Sequence, residues 1–290
     1  MPESVQVFDE LYISSSENSG YTGLEFLPGS MIGAQQQLLD PQGLRGHRGT
    51  ISARVRETSR QVIGNLQFAP GPTDLDILLE WITGSAKSAN NFIPAANVPA
   101  RFIRVKRDSV WHMYKGVRVA TATFQASEGS PLMVTLSIVG TDEVSSANPN
   151  GAAASTLAPY ILGDAVLTVG STDYQFRSVA VQYDNVLDVR YNNSVTPSSI
   201  TAADLAVAVS LTLPYGDASA LYGLGTTASS VTVTFSNGNY SFAMSMPAVQ
   251  APREPIPLGN RGQVRDLSWN GIARKSGSNE IITFTNDSTP

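Results

Sequence analysis

The sequence predicts a mainly β protein built twice from one unit, each copy carrying one short helix. Three observations carry this. Val62, Gly64, Leu66 and Phe68 alternate with Gln61, Ile63, Asn65 and Gln67, the period-two signature of a strand with one buried face. Pro70-Gly71-Pro72 then stops the strand, and Leu75, Leu78, Leu79 and Ile82 follow with the i, i+3, i+4, i+7 spacing of a helix. The same succession returns at 206–225. There Val207, Val209, Leu211 and Leu213 share one face, and Pro214 leads into a second helical run.

Taken in order, Leu11–Ser14 begins a strand and Ser15–Gly20 is a polar loop. Gly43–Thr50 is a Gly/Arg-rich turn, and Ile51–Thr58 alternates as a half-exposed strand. Thr73 is the expected cap of the first helix, with Asp76 as its reciprocal partner. Ser85–Ala100 is a long, Pro-punctuated loop, and such loops inside compact domains are usually functional or mobile. Phe102–Arg107 and Val110–Lys115 form a hairpin, Arg118–Ala126 alternates again, and Leu132–Val139 is a further strand. The Gly/Asn/Ser/Ala stretch Ser145–Ser155 is the clearest linker.

The second copy opens with a hairpin of Ala165–Val169 and Tyr174–Tyr183. Leu187-Asp188 echoes Leu39-Asp40, and Asn192–Ser199 is a turn region. The repeated strand leads to a helix capped by Asp217. Val231–Phe235 and Tyr240–Met246 then turn at Asn237-Gly238, a strong hairpin signal. Gln263–Ala273 stands where Leu132–Val139 stood, and Ile281–Thr285 follows. Leu66 matches Leu211 and Ile103 matches Val231, so the long loop is nearly missing from the second copy. The expected division is 1–147 and 148–290.

Composition excludes several functions. Nineteen basic against 24 acidic residues give a net charge of −5, which argues against tight nucleic-acid binding through neutralised phosphates. With no cysteine, disulfide and thiolate chemistry are out. The polar, acidic start is unlike a secretory signal, and no run approaches the roughly 20 apolar residues of a membrane helix. The expectation is an intracellularly made, soluble, disulfide-free protein.

No pattern of catalysis emerges. The two histidines, His47 and His112, have no nucleophile elbow beside them. With no Cys and two distant His, neither a metal site nor a cofactor is expected. Asp74/Asp76 reads as helix N-terminal charge, and Asp142/Glu143 ends a strand. Two carboxylates set across a glycosidase-like cleft stay open at this level. The cations Arg101, Arg104, Lys106 and Arg107 form either a nucleic-acid patch or, as the acidic total favours, a hairpin face meeting an acidic neighbour. One feature stands out: the outer positions Asn65, Gln67, Thr135, Ser137, Ser210 and Thr212 are hydrated yet uncharged. A surface that DNA slides past needs this; a surface that grips DNA does not.

LLDPQGLRGHRGT, QVIGNLQFAPGPTDLDILLEWITG, VRVATATFQASEGSPLMVTLSIVGTDE and YDNVLDVRYNNSVTPSSITAADLAVAVSLTLP together resemble the tail tube (major tail) proteins of long, non-contractile phage tails. The resemblance implies tandem β-sandwich or barrel modules, each flanked by a helix, in a virion protein that conducts DNA without binding it tightly. It implies rings stacked into a tube, their inner strands joined in one barrel without exposed edges. Two modules per chain imply homotrimeric, pseudo-hexameric rings. Expected partners are further copies, a tail terminator, and tail tip and tape-measure proteins, with no membrane. Asn65, Gln67, Thr135, Ser137, Ser210 and Thr212 become lumen candidates. Ser85, Lys87, Asn90, Asn91, Phe92 and Asn97 become candidates for a loop reaching an adjacent module or the next ring. The resemblance also implies an acidic lumen, and any negative field would have to come from Asp142, Glu143 and Asp204. The alternatives are a two-domain β-sandwich adhesin or carbohydrate-binding module, and an enzyme on a β scaffold. Trp81, Trp111 and Trp269 fall on separate elements, which speaks against a sugar-binding cluster.

Overall fold

The computed structural model describes residues 9–39, 52, 55–224, 227–253, 255 and 265–289. His47, the turn at 43–50 and positions 51, 53 and 54 of the strand expected at 51–58 lie outside them. The described chain is mainly β, as expected.

A middle sheet of eight antiparallel strands runs through the molecule. Its order is β3 (Met31–Leu39), β4 (Arg56–Phe68), β8 (Met133–Gly140), β7 (Val110–Ser127), β12 (Ser178–Asp184), β15 (Ala206–Pro214), β18 (Asp266–Ala273) and β17 (Tyr240–Gln250). The first four come from the first half of the chain and the rest from the second. Two flanking sheets grow from its long strands. The near half of β7 carries β6 (Arg101–Arg107), then β1 (Glu10–Ser14) and β2 (Thr22–Leu24), with β9 (Asp142–Ser146) on its other edge. The near half of β17 carries β16 (Ser229–Asn237), then β10 (Ala165–Val169) and β11 (Thr172–Tyr174), with β19 (Thr283–Asp287) on its other edge. Within the second half, then, each pairing of the first half recurs in the same order.

Strand β7 changes sheets at Gly116. Its φ of 62° is left-handed, and a Cβ there would lie 2.8 Å from Thr141 Oγ1, so glycine is required at this corner. Just beyond it, the Val117 carbonyl accepts a 3.1 Å bond from Trp81 Nε1. Trp81 belongs to α1 (Pro72–Thr83), whose predicted face, Leu75, Leu78, Leu79 and Ile82, is fully buried. The helix starts differently from expectation. Gly71 is the N-cap and Pro72 the first helical residue, so Thr73 lies inside the helix. Asp74, not Asp76, reaches back to the Gly71 N–H. At the other end Gly84 closes the helix in the left-handed conformation, donating to the Glu80 carbonyl at 3.1 Å. The second helix, α2 (Tyr215–Leu224), begins at Tyr215, which puts Asp217 inside its first turn and not before it.

Four other elements depart from the sequence reading. The segment 174–183 is two strands, β11 and β12, not one. Two short strands the sequence did not announce, β13 (Leu187–Arg190) and β14 (Ser199–Ala202), pair as a hairpin whose loop is the expected turn region. The linker is docked: Ala152 N donates to the Tyr21 carbonyl at 2.9 Å and its own carbonyl accepts from Gly23 N at 2.8 Å. Within the long loop lies a two-residue strand, β5 (Asn91–Phe92), paired with β19.

The apolar faces of the sheets and both helices meet in one core shared by the two halves. Phe124 of β7 lies 5.9 Å from Phe242 and 5.1 Å from Phe284, ring centre to ring centre. Among the described residues no helix is long and apolar enough to cross a membrane.

Candidate functional site

The sequence singled out six outward positions on three strands. The structure brings all six onto one face of the middle sheet, opposite the buried residues. Because facing residues in an antiparallel ladder share a side, the registers define transverse rows. Gln67 and Thr135 continue through Thr123 of β7, Gln182 of β12, Ala208 of β15 and Ile272 of β18. Asn65 and Ser137 continue through Thr121 and Asp184. Ser210 lies in a row with Met133, Gln125, Ala180 and Asn270, and its hydroxyl donates to Asn270 Oδ1. Thr212 lies between Ser178 and Ser268. The reverse side of the same strands, from Leu66 and Leu136 through Phe124, Val181 and Leu211 to Trp269, is buried.

Sequence reasoning missed the contributions of β7, β12 and β18 to this face. The alternation in Arg118–Ala126 was visible, but nothing local says that β7 pairs with β12, which lies far along the chain. The face is also less uniformly polar than expected. Met31 and Ile63 are 68% and 38% exposed and, with Gly33 and Val139, line a shallow groove of about 640 Å³.

Four of the six loop residues, Lys87, Asn90, Asn91 and Phe92, meet elsewhere, against the last strand and Ser288. Lys87 Nζ sits 3.0 Å from Asp76 Oδ2 and 2.8 Å from Ser288 Oγ. The Asn90 carbonyl accepts from Asn286 N at 2.7 Å, and Asn91 Oδ1 from Thr285 Oγ1 at 2.7 Å. Phe92 stands opposite Phe284 and is buried. Ser85 Oγ accepts from Ile93 N, while Asn97 stays exposed. Asn286, itself fully buried, donates to the Pro72 carbonyl and to Asp76 Oδ1, both at 2.7 Å. Helix α1, the loop and β19 thus form one polar knot between the halves. Deleting Ala86–Asn97 would strip Phe92 from the core, a loss of roughly 3–5 kcal/mol, so it would disturb folding as well as any assembly role.

The basic hairpin is engaged within the chain, two of its four cations by carboxylates and two by carbonyls. Arg101 pairs with Glu80 at 2.8 Å and Lys106 with Glu10 at 2.8 Å. Arg104 donates to the carbonyls of Glu17 and Ala147 and stacks on Tyr21 at 4.4 Å. Arg107 donates to the Ile32 carbonyl. The loop acids are engaged as well. Asp142 lies 3.5 Å from Arg60 Nε, and Asp204 accepts from Leu205 N at 2.8 Å.

Glu143 is a small hub. His112 Nδ1 lies 2.9 Å from Oε1, Tyr114 donates to the same oxygen at 3.4 Å, and Ala34 N donates to Oε2 at 2.9 Å. Burial pushes the Tyr114 phenol up to about 12, so it stays a hydrogen-bond donor at neutral pH. Ser145 stands across the ladder from His112, but no hydrogen bond joins them, and the serine has no base set against it. Among the described residues no three His, Asp or Glu side chains gather so as to hold a metal ion.

What this geometry presents is one broad polar sheet face shared by two halves. No curated protein matches the chain at a significant level. A family model described as phage tail tube protein matches residues 7–273, nearly its whole length. The chain belongs to the phage tail tube protein family, as a structural component of the virion tail that assembles with its own copies and with other tail proteins into the tube.

Proposed function

We propose that the chain is a duplicated tube module and that three copies close each ring with pseudo-sixfold symmetry around a lumen. The observation that carries this reading is the recurrence of pairings. In both halves the two-strand start pairs with the hairpin, the central strand with its two neighbours, and the bent long strand with both sheets. The β7·β12 ladder, seven residues from Thr121↔Asp184 to Ser127↔Ser178, joins one half to the next. Repeating that step between chains brings the end of β17 beside β3 of the next copy. Three such steps turn the eight-strand sheets into one closed wall, which leaves no edge.

In the single chain β3 pairs only with β4 among the described residues. Its Ala34 N–H is met by Glu143 and its Ile32 carbonyl by Arg107, so side chains stand where a strand would come. Ring closure exchanges those caps for a ladder.

The row face, with Asn65, Gln67, Thr135, Ser137, Ser210 and Thr212, lines the lumen in this reading, and the helices lie outside. Apart from Arg118, which stands opposite Val139 and donates to the Val98 carbonyl, its Ser, Thr, Gln and Asn positions give passing phosphates no cation to stop on. The tied loop at 85–100 bridges the halves inside a chain. Its short counterpart leaves the joint between chains without that bridge, which reduces true sixfold to threefold symmetry. Electron microscopy of purified tubes, with native mass of released rings, tests this. Three chains per ring are expected; six chains per ring would overturn it.

A further inference from the structure

The first half carries an arm whose counterpart in the second half shows where it docks. The β3–β4 hairpin runs past the sheet to Leu39↔Arg56, and its stem residues Leu38 and Leu39 are 64% and 56% exposed. The corresponding hairpin of the second half, β13–β14, is not left in solvent. Its tip crosses to the first half, where the Val195 carbonyl accepts from Arg60 N at 2.7 Å and Tyr191 donates to Gln61 Oε1 at 2.9 Å. Its Pro197 and Ile200 are buried.

That contact falls at a particular place. Arg60 sits on β4 just beyond Val62, the last residue that β8 reaches, so the hairpin tip completes the edge where β8 stops. The matching place on β15 lies just before Ala208, the last residue that β18 reaches. By the spacing that aligns Leu66 with Leu211, the counterpart of Arg60 is Leu205. Its N–H is met by the carboxylate of its own neighbour, Asp204, a placeholder for a backbone acceptor.

We infer that the stem of the first arm, Gln37–Leu39 with Arg56–Ser59, docks within the ring on the β15 edge at Asp204–Ala206 of the next copy. The partner is a second copy of this chain, because the only template for the contact is the one its own halves make. The two surfaces suit each other: the arm brings two exposed leucines and Arg56, and the edge brings partly buried Leu205 and exposed Asp204. Docking would cover apolar surface that the single chain leaves in water, the usual mark of an interaction site. The inference rests on the ring reading above, and its test separates the two.

A photo-crosslinking residue, p-benzoyl-phenylalanine, is placed at Asp204 and tubes are assembled from isotope-labelled and unlabelled copies. Crosslinks are expected between copies, to peptides within 36–60. Crosslinks confined to one chain, or to any other surface of a neighbour, overturn the inference while leaving the rings standing. In parallel, Leu38→Asp with Leu39→Asp should leave the melting temperature of the single chain unchanged, since both side chains are exposed, and abolish ring closure. A double variant that still closes rings overturns it too, as do rings that close but fail to stack, which would make the arm an axial contact. Failure of the unsubstituted protein to form rings at all would instead sink the ring reading and the docking with it.

Discussion

Asn286 offers the sharpest test of how the halves are held. Its side chain is fully buried at the end of β19 and donates two bonds into the first half, to the Pro72 carbonyl and to the Asp76 carboxylate. Replacing it by alanine removes both donors and leaves the acceptors in place. A neutral bond contributes about 0.5–1.5 kcal/mol and one to a charged group about 1.5–3 kcal/mol. Asp76 keeps Lys87 and Ser288 and is partly open to water, so the lower part of the summed range applies, about 2–3 kcal/mol. Asn286→Asp should be worse than Asn286→Ala, because it sets a second carboxylate against Asp76. Urea unfolding followed by Trp fluorescence reads both, since Trp81 and Trp111 lie in the first half and Trp269 in the second. An Asn286→Ala midpoint equivalent to less than about 0.5 kcal/mol of loss, or an Asn286→Asp protein more stable than the alanine variant, would refute the reasoning.

Two further outcomes are expected. Asn65→Lys, Gln67→Lys and Ser210→Lys together should leave the fold and tube assembly intact but slow DNA ejection from reconstituted virions, since each adds a cation to the row face; ejection at the unaltered rate would show that this face does not meet DNA. Asp74 is held above the ordinary carboxylate range, first by burial and then by Glu25, against the opposing N–H groups of Gly71 and Ser155. The folded state therefore prefers the protonated form, and the group costs stability once it ionises. Relative to Asp74→Asn, which keeps an oxygen for those N–H groups, the natural protein should lose stability as pH rises from the ordinary carboxylate value through the raised one, then level off. A stability gap that is flat from pH 3 to 6, or that widens in the other direction, would contradict the assignment.

Where one face of an element is buried, the sequence was readable. The α1 face and the alternation in β4, β8 and β15 follow from burial on one side, so periodicity reports them directly. What escaped was everything fixed by partners far along the chain. Strands β9, β13 and β14 span only five, four and four residues, too few for alternation to stand out; they exist because β7 and each other supply ladders. The helix start was misplaced because T-x-x-D at Thr73 imitates a capping box, while Pro72 can occupy only the first turn and leaves the reaching-back role to Asp74. The basic hairpin could not be assigned at all, since Glu10, Glu17 and Glu80 are remote in sequence. The candidate face was legible as a residue type on three strands. Its continuity across eight was not, because that depends on a single long-range ladder, β7 with β12.

An open strand edge is a template for aggregation, and proteins usually blunt it with charges. Here the edge of β3 is blunted from within, by Glu143 on Ala34 and Arg107 on Ile32. Both caps are themselves anchored, Glu143 by His112 and Tyr114, and Arg107 over the Tyr114 ring at 5.9 Å. The Ala34 bond is exposed and the Ile32 bond partly buried, so the caps occupy groups that a chance strand would otherwise pair with. In the proposed ring a correct neighbour would replace them with several backbone bonds in register and would cover the arm as well. The same few side chains therefore make a lone chain tolerable and a matched neighbour preferable, which is the discrimination that a self-assembling tube requires.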